Sequence, residues 1–375
     1  MKKSSIHIVA FMMVFVMLLS ACNSSKGEAE TTPNDINPEI TTPEVTTPEQ
    51  TTPEQTTPEQ PVELAPDCEH VFTRRVVLEQ VTTQEDGKIA NVCRTCGGWQ
   101  EEILPAVKSI KILAIGNSFS DNALNHLPRL AKELGIEEIV VGKLYVGSCT
   151  VDGHWSRAQS GASYQRFDLN FGDGWASQST KTLAYALKLY DWDVITMQQG
   201  SSTSGMPESL TNLQNLVDYV NANTTNPNAK LYWHMTWAYS QFTEHSGFAN
   251  YNNDQITMYN AIADLSVNSI LTNPSFTGVI PAGTAVQNYR GALADNSIFE
   301  GSNITISDGY HLNAFSQVLT SLTWLKTLTG LDLDAVTCTS HSDLTFVSKF
   351  QLKSMRQAVN SAYLDPYVVT PLWAE

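Results

Sequence analysis

Ser118 has the sequence environment of an attacking nucleophile. It follows an apolar run at residues 110–115 and precedes a helical pattern, which predicts a turn between a strand and a helix. On such a turn the hydroxyl is accessible and lies near a helix N-terminus, which favours developing negative charge. The alternative is that Ser118 or Ser120 only caps the helix, which is a common role for serine. Because Ser120 and Asp121 can supply the cap, Ser118 is left free for chemistry.

A possible acid–base pair lies near the other end of the chain. Asp308 precedes His311 by three residues, directly before the strongly apolar helix predicted over residues 313–328. An aspartate at this spacing can orient the imidazole, fix its tautomer and stabilise the imidazolium. The Asp-x-x-His pattern alone is weak, since short patterns arise by chance. Combined with a strand-end serine far upstream, it indicates nucleophilic catalysis much more strongly.

The elements that must position these residues predict an α/β domain. Strands alternate with helices of ordinary length, which predicts a parallel sheet with helices on both faces, a three-layer α/β/α architecture. Ligands of such sheets bind beyond the carboxyl ends of the strands, so the loops after the strands are where function is expected. The strands are predicted at residues 110–115, 138–145, 193–198, 230–235 and 278–281, and the helices at 121–134, 180–190, 208–221, 254–271 and 313–328.

The motifs around the serine and the histidine resemble those of a known superfamily. Gly-Asn-Ser-Phe-Ser at residues 116–120 resembles the first block of the SGNH (GDSL-type) hydrolases, and Asp308-x-x-His311 resembles their last block. The resemblance implies a flavodoxin-like hydrolase domain over residues 107–375, with Ser118 as nucleophile, His311 as general base and Asp308 as its orienting carboxylate. Segments resembling a poorly characterised bacterial branch of the superfamily lie at residues 145–150, 197–201, 237–239 and 281–285.

The same resemblance implies an oxyanion hole that includes the backbone N–H groups of Ser118 and Gly147. SGNH enzymes usually add an asparagine side chain from a Gly-x-Asn-Asp block, whereas this chain has Gln198-Gln199-Gly200 after its third strand. Glutamine carries the same amide donor on a longer arm, and related carbohydrate esterases are similar in this respect. We therefore expect Gln198 as the third donor, with Gln199 as the alternative because strand alternation cannot be phased from sequence.

Three further residues are candidates for substrate binding. His154 follows the Gly147 loop, and it either contacts substrate or serves as a structural or surface histidine. Trp237 and Tyr239 follow the fourth strand, where aromatic faces could stack on a sugar ring. The alternative for both aromatic residues is packing in the core.

Several other chemistries are disfavoured. The chain carries 38 acidic and 22 basic residues and a net charge of −16, which argues against nucleic acid as a partner. The segment around Ser118 is too short for a nucleotide or dinucleotide fingerprint. No His-x-x-x-His spacing suggests a catalytic metal, so we expect no cofactor for catalysis. The histidines compared for that spacing are His126, His154, His234 and His245.

The first 66 residues predict export and anchoring. A signal peptide is predicted over residues 1–22, because Lys2 and Lys3 are followed by an apolar run and then by small residues. Its last four residues, Leu-Ser-Ala-Cys, resemble a bacterial lipobox, in which Cys22 would be the lipidated residue. The alternative is a plain secretory signal. Residues 23–66 are predicted to form a disordered, extended stalk or linker, because the segment from Thr31 is low in complexity and repeats Thr-Thr-Pro-Glu every five residues from Thr41. These features predict a lipid-anchored protein on the outer face of the bacterial cell membrane.

A small Cys/His module is predicted at residues 67–104. Cys68 and His70 precede a β-rich stretch with a turn at residues 86–87, and Cys93 and Cys96 form a Cys-x-x-Cys knuckle. Two strands of a hairpin, at residues 71–83 and 88–93, could place these four donors around a structural Zn²⁺ ion. A disulfide between two of the three cysteines is the alternative outside the cell. Cys149 and Cys338 could be free or bridged to each other.

Together these features predict a cell-surface serine esterase that removes O-acetyl or similar small acyl groups from a polysaccharide. The alternatives within the same chemistry are a lipase, a thioesterase or a peptidoglycan-modifying esterase. The alternative from another class is an inactive surface lipoprotein that binds glycan.

Overall fold

Two β-sheets organise the chain in the computed structural model, which describes residues 61–292, 304–339, 342 and 344–372. The predicted signal peptide, Cys22 and nearly all of the predicted stalk lie outside the described residues. Within the described part of the chain, no helix is both long and apolar enough to cross a membrane. Both sheets belong to one compact unit.

The first sheet has three antiparallel strands, and the second has seven strands. The small sheet is formed by Phe72–Glu79 (β1), Gly87–Cys93 (β2) and Trp99–Leu104 (β3). The large sheet contains Ser109–Gly116 (β4), Glu138–Tyr145 (β5), Arg166–Asn170 (β6), Trp175–Ser177 (β7), Val194–Met197 (β8), Lys230–His234 (β9) and Gly278–Ile280 (β10). Its spatial order is β10-β9-β8-β4-β5-β6-β7.

Helices cover both faces of the large sheet. The α-helices are Ser118–Leu124 (α1), Leu127–Glu133 (α2), Val151–Ser160 (α3), Leu183–Leu189 (α4), Leu213–Asn223 (α5), Gln255–Leu265 (α6), Ala282–Ala292 (α7), Ala314–Thr329 (α8) and Lys349–Leu364 (α9). Helices α3, α4 and α5 pack on one another, and α1, α2, α7 and α9 pack around α8. A π-helical turn at Ser266–Ile270 extends α6, and short 3₁₀ turns lie at Ser201–Thr203, Pro207–Leu210, Ser246–Tyr251 and Leu333–Ala335.

The predicted α/β/α fold is confirmed, with one addition at the sheet edge. Strands β4, β5, β8, β9 and β10 are parallel, as the alternation of strands and helices predicted. Strands β6 and β7 extend the sheet beyond β5 in antiparallel orientation, and neither is among the predicted strands. Their sequences are short and alternate polar with apolar residues around glycine-rich turns, so they lack the continuous apolar run of a buried parallel strand.

Three local predictions differ from the structure. The helix expected over residues 121–134 is two helices, because Pro128 lacks an N–H and fits only the first turn of a new helix, α2. The expected two-stranded hairpin is a three-stranded sheet, since β3 pairs with β2. The end of the predicted stalk is ordered, because the Trp99 N–H donates to the Val62 carbonyl at 2.8 Å.

The small sheet packs directly against the α/β domain. The Arg75 guanidinium donates to the Tyr363 carbonyl at 3.0 Å and lies over the Tyr363 ring. The Gln80 side chain donates to the Gly330 carbonyl at 2.7 Å. Val81, two residues after β1, is buried in the main hydrophobic core. The small sheet is therefore a fixed part of the same unit.

Candidate active site

The parallel strands bring the predicted functional loops to one edge of the large sheet. Ser118 follows β4 directly, Gly147 follows β5, and Gln198 follows β8. Because these strands are parallel neighbours, their carboxyl ends meet at the same edge. The Val146 N–H donates to the Gly116 carbonyl at 3.3 Å, which joins the first two loops.

Ser118, His311 and Asp308 form a continuous hydrogen-bonded chain. The Ser118 hydroxyl oxygen lies 2.8 Å from His311 Nε2, and His311 Nδ1 lies 2.6 Å from Asp308 Oδ2. The side chains of His311 and Asp308 are about a quarter exposed, 26% and 27% respectively, so the chain is reachable from solvent. This is the order of nucleophile, base and orienting acid that serine hydrolases use, with each distance inside hydrogen-bond range.

Asp308 is held as a carboxylate by its own loop. Its Oδ1 accepts the backbone N–H groups of Tyr310 and His311, each at 3.0 Å. Partial burial opposes ionisation, but these two hydrogen bonds and the contact with His311 outweigh it and lower the pKa of Asp308. A negative Asp308 requires a proton on His311 Nδ1. In the neutral imidazole Nε2 is then unprotonated and faces Ser118 as an acceptor.

The helix that begins at Ser118 is capped by Asn117 and not by the predicted Ser120 and Asp121. Asn117 Oδ1 accepts the Phe119 N–H at 2.9 Å. The expected caps act elsewhere: the Ser120 hydroxyl donates to the Asn117 carbonyl, and Asp121 accepts Lys143 Nζ at 2.6 Å. Ser118 is therefore not needed as the helix cap, as expected, but the residue that caps the helix is Asn117. An asparagine directly before a helical pattern is the signal that could have identified the cap.

The amide of Gln198, the predicted third oxyanion donor, is buried and hydrogen-bonded in the structure and does not face the site as expected. Its Nε2 donates to Asn117 Oδ1 at 2.7 Å, and its Oε1 lies 2.9 Å from His234 Nδ1. Burial lowers the pKa of His234 to about 3, so the ring is neutral and Nδ1 carries the proton that Gln198 accepts. Gln198 and His234 thus hold Asn117, which also donates to the Cys149 carbonyl at 3.1 Å.

The alternative donor, Gln199, is also committed to structure. Its Oε1 accepts the Val151 N–H at 2.9 Å, and its Nε2 donates to the carbonyl and hydroxyl of Ser209 at 2.8 and 2.9 Å. It therefore ties the loop after β8 to the start of α3 and to the following 3₁₀ turn. Neither glutamine presents a free amide to the site, because both side chains are buried and hydrogen-bonded inside the domain.

The Gly147 N–H is exposed but already has a partner. It donates to Gln165 Oε1 at 3.0 Å. Gln165 is an exposed residue just before β6, and no sequence pattern marked it. Ser118 is the first residue of α1, where an N–H has no partner inside the helix. The two predicted backbone donors therefore differ. The Gly147 N–H must release Gln165 Oε1 before it can donate to an oxyanion.

The predicted sugar contacts of Trp237 and Tyr239 are wrong, because both side chains are fully buried. The Trp237 ring stacks on Phe119 with centroids 4.3 Å apart, and its Nε1 donates to the Tyr310 carbonyl at 2.8 Å. The Tyr239 hydroxyl lies 2.7 Å from the Ser201 hydroxyl. The alternative of core packing is therefore correct. These residues support the loops of Ser118 and His311 from below.

His154 is a core histidine, so its predicted contact with substrate is also wrong. It is 1% exposed, and its Nδ1 lies 2.8 Å from the Tyr164 hydroxyl, with the two rings stacked. Burial, with a smaller effect of the Arg157 charge, lowers the pKa of His154 to about 3. It lies on the buried side of α3 with Val151 and Ala158, which is a helical pattern that indicates core.

The predicted Cys/His donors converge at one end of the small sheet. The ligand atoms of Cys68, His70, Cys93 and Cys96 all lie within 4.8 Å of one another. Cys68 Sγ and Cys93 Sγ are 3.8 Å apart, and Cys96 Sγ is 3.6 Å from His70 Nδ1. Burial opposes ionisation of Cys93, yet N–H groups and His70 lower its pKa to about 5. The cluster is therefore able to hold a metal ion.

The other two cysteines among the described residues are not bridged. Cys149 and Cys338 are both free and buried in the structure. Burial raises the pKa of Cys149 and raises that of Cys338 to about 12, so both are protonated thiols at neutral pH. The alternative of a Cys149–Cys338 disulfide is therefore not adopted.

Comparison with known proteins places the chain in a family. The profile of a domain of unknown function, DUF4886, matches residues 111–349. The chain belongs to the DUF4886 family. Its fold is similar to the crystal structure of a DUF4886 family protein from Bacteroides uniformis, at 30% sequence identity and a TM-score of 0.63. That match covers 70% of this chain and 98% of the other.

Two further results accompany the DUF4886 assignment. A crystal structure of an acetyl xylan esterase, AlAXEase, is matched at 12% identity and a TM-score of 0.32, over 58% of this chain and 98% of the other. No curated protein matches the chain. The activity must therefore be argued from the site itself.

Proposed function

We propose that this DUF4886 protein is a serine hydrolase of the SGNH type that cleaves carboxylic esters. The observation that carries the proposal is the chain from Ser118 through His311 to Asp308, with distances of 2.8 and 2.6 Å. A glycan-binding module without activity would need neither a serine hydroxyl bonded to an imidazole nor an imidazole oriented by a carboxylate. The intact set therefore favours the enzyme over the inactive binding protein.

In the proposed reaction Ser118 Oγ attacks the ester carbonyl while His311 Nε2 accepts the hydroxyl proton. Asp308 stabilises the resulting imidazolium. The tetrahedral intermediate collapses as His311 returns the proton to the departing alcohol oxygen, which leaves an acyl group on Ser118. Water then attacks this acyl-enzyme with His311 as base, and the carboxylic acid leaves. The backbone N–H groups of Ser118 and Gly147 would stabilise the oxyanion in both steps.

The substrate we propose is a carbohydrate that carries O-acetyl or similar small acyl groups. The test is acetate release from p-nitrophenyl acetate and from acetylated xylan by the purified protein. Release from both substrates is expected. Release from p-nitrophenyl acetate alone would retain the serine hydrolase and move the substrate toward lipase or thioesterase chemistry. No hydrolysis of any ester would contradict the proposal.

Gln165 should slow the enzyme, because its Oε1 occupies the Gly147 N–H that the oxyanion needs. Replacing Gln165 by alanine removes an exposed hydrogen bond worth about 0.5–1.5 kcal/mol, which predicts a rise in kcat/KM of roughly 2- to 10-fold. The measurement is hydrolysis of p-nitrophenyl acetate, with Gln159→Ala on the exposed side of α3 as the control. A fall in kcat/KM for Gln165→Ala would show that Gln165 assists the reaction instead.

We further propose that Cys22 is lipidated and that residues 23–60 hold the enzyme off the outer face of the cell membrane. The support is the sequence: the basic start, the apolar run, the small residues before Cys22 and the Thr-Pro-Glu repeats. An anchored esterase on a spacer can reach polysaccharides near the cell surface, which agrees with the proposed substrate. Nucleic acid is not a proposed partner, given the net charge of −16.

The Cys/His cluster is proposed to hold a structural Zn²⁺ ion. Zn–S bonds of about 2.3 Å at tetrahedral angles separate two sulfur ligands by about 3.8 Å and a sulfur and a nitrogen ligand by about 3.5 Å. The Cys68–Cys93 and Cys96–His70 separations of 3.8 and 3.6 Å fit both values. The N–H groups of Thr95 and Gly98 donate to Cys93 and Cys96, each at 3.4 Å, as donors around bound thiolates do.

Metal analysis of the purified protein tests this site. We expect about one zinc ion per chain, because four filled ligand positions form a closed structural site. The double variant Cys93→Ser, Cys96→Ser should lose the zinc and unfold at lower temperature, since the metal stabilises a sheet with little core of its own. The control is Cys149→Ser, which should keep its zinc. Equal zinc in the wild type and the double variant would contradict the assignment.

A further inference from the structure

A cavity of about 480 Å³ lies beside the proposed catalytic chain and shares a residue with it. Asp308 lines the cavity, while its carboxylate also holds His311. The rest of the lining comes from the loop after β9 and from the residues around Asp308. The lining residues are Phe242, Glu244, His245, Ser307, Asp308 and Tyr310.

The two walls of this cavity are fixed to each other. The Thr243 hydroxyl donates to the Asp308 carbonyl at 2.9 Å, and the Ser240 N–H donates to the Gly309 carbonyl at 2.7 Å. Gly309 has a φ of 77°, and a Cβ there would lie 2.8 Å from Thr243 Cβ, so this close approach requires glycine. The loop that carries Phe242 and Glu244 therefore keeps a constant position relative to Asp308.

The cavity contains the aromatic surface that Trp237 and Tyr239 were predicted to provide. Phe242 is 61% exposed and lines the cavity, so it presents apolar aromatic surface there. Tyr310 is half-buried, with its ring centroid 4.9 Å from that of His245 and 4.4 Å from that of His311. A flat, exposed aromatic face beside hydroxyl and imidazole groups suits a ring that is apolar on its faces and polar at its edge. Sugars have this character.

The charges of the cavity select among sugars. Glu244 is exposed, and Asp308 has a lowered pKa, so two carboxylates line the space. Carboxylates accept hydrogen bonds from sugar hydroxyls, but they repel a carboxylated sugar. His245 Nδ1 accepts the Gly247 N–H at 3.0 Å, so Nε2 is the nitrogen of this ring that can donate to a ligand. The lining therefore favours neutral glycans over acidic ones.

We propose that this cavity is a sugar-binding subsite for a neutral polysaccharide. Phe242 stacks on a sugar ring, and Glu244 accepts hydrogen bonds from the sugar hydroxyl groups. The inference rests on the proposed ester hydrolysis for its role in the reaction. It identifies the substrate as an acylated neutral glycan and assigns its recognition to the loop after β9.

Binding is measured first, in the Ser118→Ala variant, so that the result does not depend on turnover. Affinity electrophoresis uses acetylated xylan and acetylated glucomannan as neutral probes and acetylated pectin as the acidic probe. Retardation by a neutral probe is expected, with a loss of about 10-fold in affinity when Phe242→Ala is added. Phe350→Ala is the control, because Phe350 on α9 is similarly exposed, at 68%. No retardation by either neutral probe, or equal loss in both variants, would overturn the proposal.

Turnover then separates failure of the subsite from failure of the enzyme. In Phe242→Ala the ratio of kcat/KM for acetylated xylan to that for p-nitrophenyl acetate should fall about 10-fold, and in Phe350→Ala it should not change. Glu244→Gln should raise binding of acetylated pectin relative to the neutral probes. If the wild type cleaves p-nitrophenyl acetate but Phe242→Ala leaves both ratio and affinity unchanged, the subsite is wrong and the hydrolase stands. If no ester is cleaved while Phe242→Ala still weakens binding, the hydrolase is wrong and the subsite stands.

Discussion

Replacing Ser118 by alanine is expected to lower kcat for ester hydrolysis by about 10⁶-fold, to the level that binding and the oxyanion donors alone provide. The variant removes the attacking oxygen, which lies 2.8 Å from His311 Nε2. His311→Ala should cost about as much, because the serine is a weak nucleophile without its base. The double variant should lose little more than either single one, since the two side chains act as a unit.

The measurement is single-substrate kinetics with p-nitrophenyl acetate, with circular dichroism to confirm that each variant is folded. The matched control is Ser177→Ala, which removes an exposed hydroxyl from the edge strand β7. The control should retain wild-type kcat. Retention of more than a few per cent of wild-type kcat by Ser118→Ala would show that another group attacks the ester.

Asp308→Asn is expected to lower kcat by about 10⁴-fold while leaving the loop almost unchanged. The amide oxygen of the substituted side chain can still accept the N–H groups of Tyr310 and His311, as Asp308 Oδ1 does at 3.0 Å. The amide nitrogen then faces His311 Nδ1, where it can only donate. His311 must therefore carry its proton on Nε2, so it can no longer accept the proton of Ser118.

The control for the loss of one negative charge is Asp191→Asn, which alters an exposed aspartate outside the site. This variant should keep full activity. The unfolding temperature of Asp308→Asn should stay within a few degrees of the wild type, so that the loss of kcat reports the tautomer and not the fold. A loss of less than about 10-fold would contradict the proposed role of Asp308.

The sheet could be predicted from sequence because its signals are local. The bounds expected for the second strand of the domain, residues 138–145, coincide with β5, and the other buried parallel strands differ by a few residues. Continuous apolar runs separated by helical patterns allow few other arrangements. The antiparallel strands β6 and β7 depend on pairing partners, which a single sequence does not display. The break at Pro128 does have a local signal, because proline fits only the first turn of a helix.

The close approach of Ser118 and His311 was foreseeable, whereas the residues around them were not. A strand-end serine and an Asp-x-x-His loop each carry a local signal. The parallel sheet places Ser118 at the carboxyl end of β4, where His311 contacts it. The position of Gln198 after β8 gives no such signal, because whether its amide faces the site or Asn117 depends on the twist of the strand end.

The predicted contacts of Trp237 and Tyr239 with substrate were wrong for a related physical reason. Trp237 and Tyr239 alternate along the loop after β9, and both turn inward, where large rings bury the most apolar surface. Phe242, a few residues further on, is the exposed aromatic group. Residue type and position do not distinguish a ring that packs under the loops, such as that of Trp237, from one that is exposed, such as that of Phe242. Both residues lie just after β9.

Labelling with a fluorophosphonate probe, followed by mass spectrometry of the digested protein, tests the proposed activity most directly. The probe reacts only with a serine whose proton is taken by a base, so it reports the assembled site without any assumption about substrate. We expect one label, on the peptide that contains Ser118, and none in Ser118→Ala. A protein that takes up no label, or takes it up equally after Ser118→Ala, would not be a serine hydrolase acting through Ser118.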